Sequence, residues 1–376
     1  MKYAWRIAIV SLLTVLAFGL VPRTATAQVD LELKDPVDSF PGLDPIGTLK
    51  GHEKTVFSVA FSPDGKLLAT AGEDHAALWD ATNGRRLHTL EPAPTRGPRA
   101  NSVAFAPDGR TLAVGGYSGH VNFYDPTSGE RTATFEEPSL MPTRVAYTPD
   151  GATLIAGVDQ AGVMLYDVKA RKVLGTLKAP KGFTLRGFDV SADGKTLALI
   201  SMDELSFWDL PTRKLRKAIG HGYSDATASF AAVACSPAAP VAAVSGGQAL
   251  SQKTTFFDLK SLRSTGSLAL EPGPVPNVSS EPSISVLRFS PNGKWLASGP
   301  SAGVHDRTPV SLWEASSGQR IGALTGSKNG ITEIAFSADG ARVAASSRDN
   351  LVRIWKLPSS GKGAAKSKAK AKRSRR

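Results

Sequence analysis

Ser62-Pro63-Asp64-Gly65 returns along the chain as Ala106-Pro107-Asp108-Gly109, Thr148-Pro149-Asp150-Gly151, Ser191-Ala192-Asp193-Gly194, Ser290-Pro291-Asn292-Gly293 and Ser337-Ala338-Asp339-Gly340. The glycines stand 44, 42, 43, 99 and 47 residues apart, and the longest step holds a degraded copy at Ser236-Pro237-Ala238-Ala239. Proline presets the first central position of a turn, Asp or Asn bonds to nearby backbone, and glycine supplies the unusual φ at the exit. Each copy therefore reads as a hairpin turn, and self-similarity at this spacing marks a stacked array of supersecondary units.

Working outward from each turn, a short β-type run precedes it and a second follows, then a polar turn and a third run ending in an aromatic residue. Those ends are Trp79-Asp80, Tyr124-Asp125, Tyr166-Asp167, Trp208-Asp209, Phe257-Asp258, Trp313-Glu314 and Trp355-Lys356. A fourth run follows most of them, as in Arg86-Leu87-His88-Thr89-Leu90 and Val173-Leu174-Gly175-Thr176-Leu177. Four antiparallel strands per period predict an all-β fold, a seven-bladed β-propeller. The last copy meets Pro358 and lacks a fourth run. Ile46-Gly47-Thr48-Leu49 supplies it from the front, so an N-terminal strand should pair into the last blade and close the ring, removing an exposed sheet edge.

Over residues 45–358 the chain resembles the WD-repeat β-propeller family. Blade one carries Gly51-His52 and Trp79-Asp80, and blade seven carries Ser346-Ser347-Arg348-Asp349-Asn350 ahead of Trp355. The resemblance implies a buried hydrogen-bond network of a histidine, a Ser or Thr, an aspartate and a tryptophan. His52, Thr70, Asp74 and Trp79 match it in blade one, in a turn one residue short, and Asp349 and Trp355 match part of it in blade seven. Ser327 stands where blade seven would have the histidine, so much of the ring is expected to rely on apolar packing.

The chain has 376 residues and a net charge of +12, with 41% hydrophobic and 21% charged residues. That composition excludes a disordered polyelectrolyte and a polytopic membrane protein. Residues 1–27 carry +3 and residues 359–376 carry +8, which leaves +1 for everything between. The net charge therefore does not report a basic groove built into the fold.

Lys2 and Arg6, an apolar run from Ile7 to Val21, and Ala25-Thr26-Ala27 form a signal-peptide pattern, with cleavage expected after Ala27. The alternative is an uncleaved anchor, for which the apolar run is short. The mature chain is expected to be exported, periplasmic or secreted, without a transmembrane span. Residues 28–44 read as a linker. The tail from Ser359 holds nothing apolar and reads as disordered. Its Lys366, Lys368, Lys370, Lys372, Arg373, Arg375 and Arg376 suit an anionic polymer or an acidic membrane surface, or form a solvated tail; export argues against nucleic acid.

One cysteine excludes a disulfide framework and a multi-cysteine zinc site. Cys235 falls in the aligned column Phe61, Phe105, Tyr147, Val190, Cys235, Phe289, Phe336, where it reads as a small buried hydrophobe. The preceding column is alanine except for Asp189 and Arg288, which line the central channel or satisfy an interblade contact. The histidines show no metal-ligand spacing, and no metal or cofactor is expected. Gly299-Pro300-Ser301-Ala302-Gly303 matches a nucleophile-elbow pattern but lies between two predicted strands, without the helix that motif needs.

The leading expectation is a non-catalytic scaffold that binds a protein or an envelope polymer. The long loops at residues 220–229, 244–253, 271–283 and 298–309 all belong to blades five and six and share one face. They offer His221, Tyr223, Asp225, His305, Asp306 and Arg307 as a partner surface. The alternative is an exported propeller enzyme, a hydrolase or lyase acting at the channel mouth.

Overall fold

The computed structural model describes residues 42–90, 99–116, 119–136, 142–158, 162–178, 184–201, 203–220, 229–247, 253–269, 284–300 and 309–358. These residues form seven antiparallel sheets arranged as blades. Blade one illustrates the pattern: Val56–Phe61 innermost, then Leu67–Gly72 and Ala76–Asp80, with Arg86–Leu90 at the rim. The innermost strand of blade seven, Ile331–Phe336, packs on that of blade one, and the remaining blades follow in chain order to complete a ring. Among the described residues there is no helix.

The seam closes as the sequence predicts. Gly47–Leu49 pairs antiparallel with Val352–Lys356 of blade seven, in the register Gly47 to Ile354 and Leu49 to Val352. The ring also reaches further forward than expected. Gly42–Leu43, read as linker, pairs in parallel with the rim strand Arg320–Leu324 of blade six, and Thr325 donates its backbone N–H to Leu43. Leu43 and Leu49 are both buried, so each link carries an apolar anchor.

The core has no single centre. It divides into seven apolar clusters, each shared by two neighbouring blades. The slab between blades seven and one joins Val352 and Ile354 to Val56, Leu68 and Trp79. The repeated turns interlock as well. A Cβ on Gly109 or Gly151 would touch the proline of the preceding blade's turn, Pro63 or Pro107, at 3.6 or 3.2 Å. Gly109 also sits at φ 72, a left-handed conformation that favours glycine.

Candidate functional site

The innermost strands present one backbone edge to the central channel, and that edge has no sheet partner. Side chains from the preceding blade cover part of it. Val103 donates its N–H to Ser58 Oγ at 3.3 Å, Val145 to Ser102 Oγ at 3.1 Å, and Cys235 to Asp189 Oδ2 at 2.8 Å. Paired in this way, the polar backbone tolerates its partial burial.

The channel is a cavity of about 670 Å³ walled by all seven blades, and four charged side chains meet inside it. Arg288 of blade six donates Nη2 to Glu333 Oε1 of blade seven at 2.6 Å and Nε to the Ile334 carbonyl at 3.3 Å. Its Nη1 lies 3.8 Å from Asp189 Oδ2 of blade four. Arg144 of blade three reaches the second oxygen of Glu333 at 3.2 Å. Asp189 and Arg288 thus do both things expected of them: each lines the channel, and each satisfies a neighbouring blade. The structure adds Arg144 and Glu333, which share an aligned column with Ser58 and Ser102, three residues before the aromatic position.

Burial opposes ionisation of Glu333, but Arg144 and Arg288 outweigh it and hold the carboxyl below its ordinary range. Burial likewise opposes the charge on Arg288, and Glu333 with Asp189 raises its pKa instead. Burial, with Asp189 beside it, pushes the Cys235 thiol well up, so it is not a thiolate near neutral pH. The four charges neutralise one another, and neither Glu333 nor Arg288 exchanges a proton near neutral pH. The cluster is a brace across the ring.

Blade one holds the other polar constellation. His52 Nδ1 is 2.7 Å from Asp74 Oδ1, His52 Nε2 is 2.8 Å from Thr70 Oγ1, and Trp79 Nε1 donates to Thr70 Oγ1 at 2.9 Å. Asp74 also accepts the Glu53 N–H at 2.7 Å, which ties the entering loop to the turn between the second and third strands. Burial raises the Asp74 pKa, but the His52 contact and the Glu53 N–H prevail and hold it far below the carboxylate range. Gly72 leaves room for this relay, since a Cβ there would lie 2.8 Å from both Asp74 Oδ1 and His52 Nδ1.

His75 stacks on His52 with centroids 4.4 Å apart and planes 15° apart. Burial first, and the His52 neighbour second, lower its pKa to about 4. His52, Asp74 and His75 offer ligand atoms within 4.8 Å of one another. Both ring nitrogens of His52 are already engaged, and stacked rings do not direct their in-plane lone pairs at one ion, so His52 and Asp74 serve the hydrogen-bond relay to Thr70 and Trp79, with His75 stacked beside it. Blade seven solves the same problem differently. Asp349 accepts the Lys328 N–H at 3.0 Å and pairs with Arg353 at 2.8 Å, while Trp355 Nε1 donates to the Thr325 carbonyl at 3.2 Å.

His221, Tyr223, Asp225, His305, Asp306 and Arg307 lie outside the described residues, as do the tail residues from Lys366 to Arg376 and the segment 1–27. Among the described residues no helix is long and apolar enough to cross a membrane.

The model of the WD domain, G-beta repeat, matches residues 43–80, 84–125, 277–308 and 318–356, which correspond to blades one, two, six and seven. The fold is a WD-repeat β-propeller. Short stretches are similar to Protein Mut11 of Chlamydomonas reinhardtii, 55% identical over 42 residues, 11% of each chain. Eukaryotic translation initiation factor 3 subunit I of Candida albicans is 31% identical over 100 residues, 26% of this chain and 29% of that one. Small ribosomal subunit protein RACK1z of Arabidopsis thaliana is 49% identical over 45 residues, 12% of this chain and 14% of that one. The chain thus spans less than a third of the length of each of these relatives. Blades three to five of this propeller fall outside the matched stretches.

Proposed function

We propose that this WD-repeat propeller is an exported, non-catalytic interaction scaffold whose partner is a protein. The carrying observation is the brace: a ring closed at its seam and tied across its middle by Arg144, Glu333, Arg288 and Asp189 is a frame whose blades are fixed relative to one another. Loops on a rigid frame are where binding resides. Two of the relatives are named as a subunit of an initiation factor and a protein of a ribosomal subunit, a setting that favours association over turnover. Export rests on the N-terminal signal pattern ending at Ala27. The partner face is assigned to the loops of blades five and six, through His221, Tyr223, Asp225, His305, Asp306 and Arg307. The basic tail adds a tether to anionic polymers or acidic membrane surfaces.

The test is affinity capture from envelope extract with the full mature chain and with a version ending at Pro358. The scaffold reading expects both to retain the same protein in stoichiometric amount. Capture that needs the tail would move binding off the ring. Tyr223→Ala with Arg307→Ala should weaken capture, while Lys66→Ala with Lys294→Ala on the opposite face should not.

A further inference from the structure

The rim strands of blades three, four and five, Lys172–Lys178, Lys214–Gly220 and Arg263–Ala269, differ from the others in charge. Residues 167–178, 209–220 and 258–269 hold ten basic and three acidic side chains; the matching residues 80–90, 125–136 and 314–324 of blades one, two and six hold four and five. Among the described residues none of those ten cations forms an ion pair with a carboxylate. The three acids are occupied by their own turns: Asp167 accepts the Ala170 N–H, Asp209 the Thr212 N–H and Asp258 the Ser261 N–H.

The sector is continuous. Arg213 donates to the Leu174 carbonyl of blade three, while Arg216 and Lys217 donate to the Lys260 and Leu262 carbonyls of blade five at 2.9 and 2.7 Å. A cavity of about 680 Å³ opens beside it between blades four and five, with Lys195, Arg216 and Lys260 in its wall. Blade four has Ala192 in place of the turn proline, and blade five lacks the turn glycine, so the interlock made by Gly109, Gly151 and Gly194 is not continued there.

Two further observations fall in the same place. The turns into the rim strands of blades one, two and six place Gly84, Gly129 and Gly318 at φ between 68 and 73; the matching positions in blades three and four are Arg171 and Arg213, at φ 54 and 58. Arginine there holds a backbone conformation that glycine adopts more easily. The large hydrophobic side chains that stand exposed, among the described residues, are Val173 at 40% and Leu215 at 49%. They occupy matching positions on neighbouring rims, opposite Tyr166 and Trp208, each preceded by a lysine.

We propose that the rim of blades three to five is a docking surface for an acidic segment of a partner protein that carries aliphatic side chains. The unneutralised cations call for carboxylates, and Val173 and Leu215 call for apolar groups, which a nucleic acid backbone or an acidic polysaccharide does not supply. These rim strands contain no aromatic residue, so they offer no stacking platform for bases. The proposal rests on the scaffold reading, and adds a second contact region to it.

The probe is a labelled decapeptide alternating glutamate with leucine, titrated by fluorescence anisotropy against the full chain. A glutamate–serine decapeptide and a heparin octasaccharide are run beside it. Lys172→Glu with Lys214→Glu should weaken the glutamate–leucine peptide at least tenfold, and Val173→Ser with Leu215→Ser at least threefold. Arg85→Glu with Arg131→Glu on blades one and two should leave it unchanged, and all variants should keep the parent Tm. No binding of the glutamate–leucine peptide overturns the proposal. So does equal binding of all three probes to a version ending at Pro358, with no effect of the serine variants, which describes a general polyanion surface on the ring. Binding that appears only after residues 28–41 are removed also overturns it, because Val29-Asp30-Leu31-Glu32-Leu33 would then be the occupant. A partner captured from extract that still binds the Lys172→Glu, Lys214→Glu variant leaves the scaffold reading intact and removes this surface alone.

Discussion

Arg144 of blade three and Glu333 of blade seven meet at 3.2 Å across the channel, with two blades between them one way round the ring and three the other. The pair therefore joins parts of the ring that share no sheet and no apolar slab. With Arg288 on the other Glu333 oxygen, one carboxylate holds two cations. Breaking a buried pair from one side costs about 3–5 kcal/mol, mainly because charge is left uncompensated. Glu333→Ala should lose stability of that order in urea unfolding. Arg144→Ala should lose less, since its side chain is 28% exposed against 10% for Glu333. Equal and negligible losses would show that the brace carries no load.

Acid should loosen the ring in two stages. His75 has a folded pKa of about 4 against an ordinary value of 6.5, so the unfolded chain binds its proton first. Its stabilising contribution is complete above about pH 6.5 and is lost as pH falls towards 4, by up to about 3 kcal/mol. Glu333 and Asp74, both held below the carboxylate range, contribute above their unfolded pKa values and lose that contribution only as pH falls through their lower folded values. Thermal melts from pH 8 to 3 should show the first decline near pH 6, and His75→Gln should abolish that step while keeping the second.

The blade-one relay has no space for a larger residue at Gly72. Gly72→Ala places a methyl group 2.8 Å from Asp74 Oδ1 and His52 Nδ1 and 3.1 Å from the Thr55 carbonyl. It should cost about 1–3 kcal/mol, the range of an overpacked site. The indole N–H resonance of Trp79, protected by its bond to Thr70, should shift in the same variant; an unchanged resonance would mean that the relay is loose.

Closure depends on a short segment. Removing residues 42–50 takes away Leu43 and Leu49 and uncovers the rim edges of blades six and seven. Leu49→Ala alone should cost about 2–5 kcal/mol, as for other buried leucines. The deletion should lower Tm by more and promote self-association through the exposed edges. A deletion that melts at the parent temperature would refute closure from the front.

Much of this was legible in the sequence because a repeat reports geometry many times over. Six copies of one turn and a degraded seventh fix the blade count, and a last blade short of a strand points to Ile46-Gly47-Thr48-Leu49. His52, Thr70, Asp74 and Trp79 stand at positions that the resemblance ties together. The brace was half legible: Asp189 and Arg288 break a column of alanines, but Arg144 and Glu333 fall in a column of mixed residues that conceals them. No linear pattern states that side chains of blades three and seven span the channel. The basic rim was hidden by summation, because +1 over the body averages an acidic blade two against blades three to five. Gly42–Leu43 offered too few residues to read as a strand, and its pairing with blade six is a tertiary choice.

Export is checked by N-terminal sequencing of the protein from its native cell. The account expects the chain to begin at Gln28, with binding of the intact basic tail to heparin falling steeply with salt, as counterion release requires. A retained Met1 would overturn cleavage, and salt-insensitive heparin binding would move that contact from the tail to the ring.

The central claim is that this ring binds a protein and leaves it chemically unchanged. The most direct measurement is a titration of the captured partner into the full chain, followed by intact mass analysis of both proteins after prolonged incubation. The account predicts saturable binding at fixed stoichiometry and identical masses before and after. A partner whose mass changes with turnover, at substoichiometric amounts of this chain, would contradict it and make the propeller an enzyme.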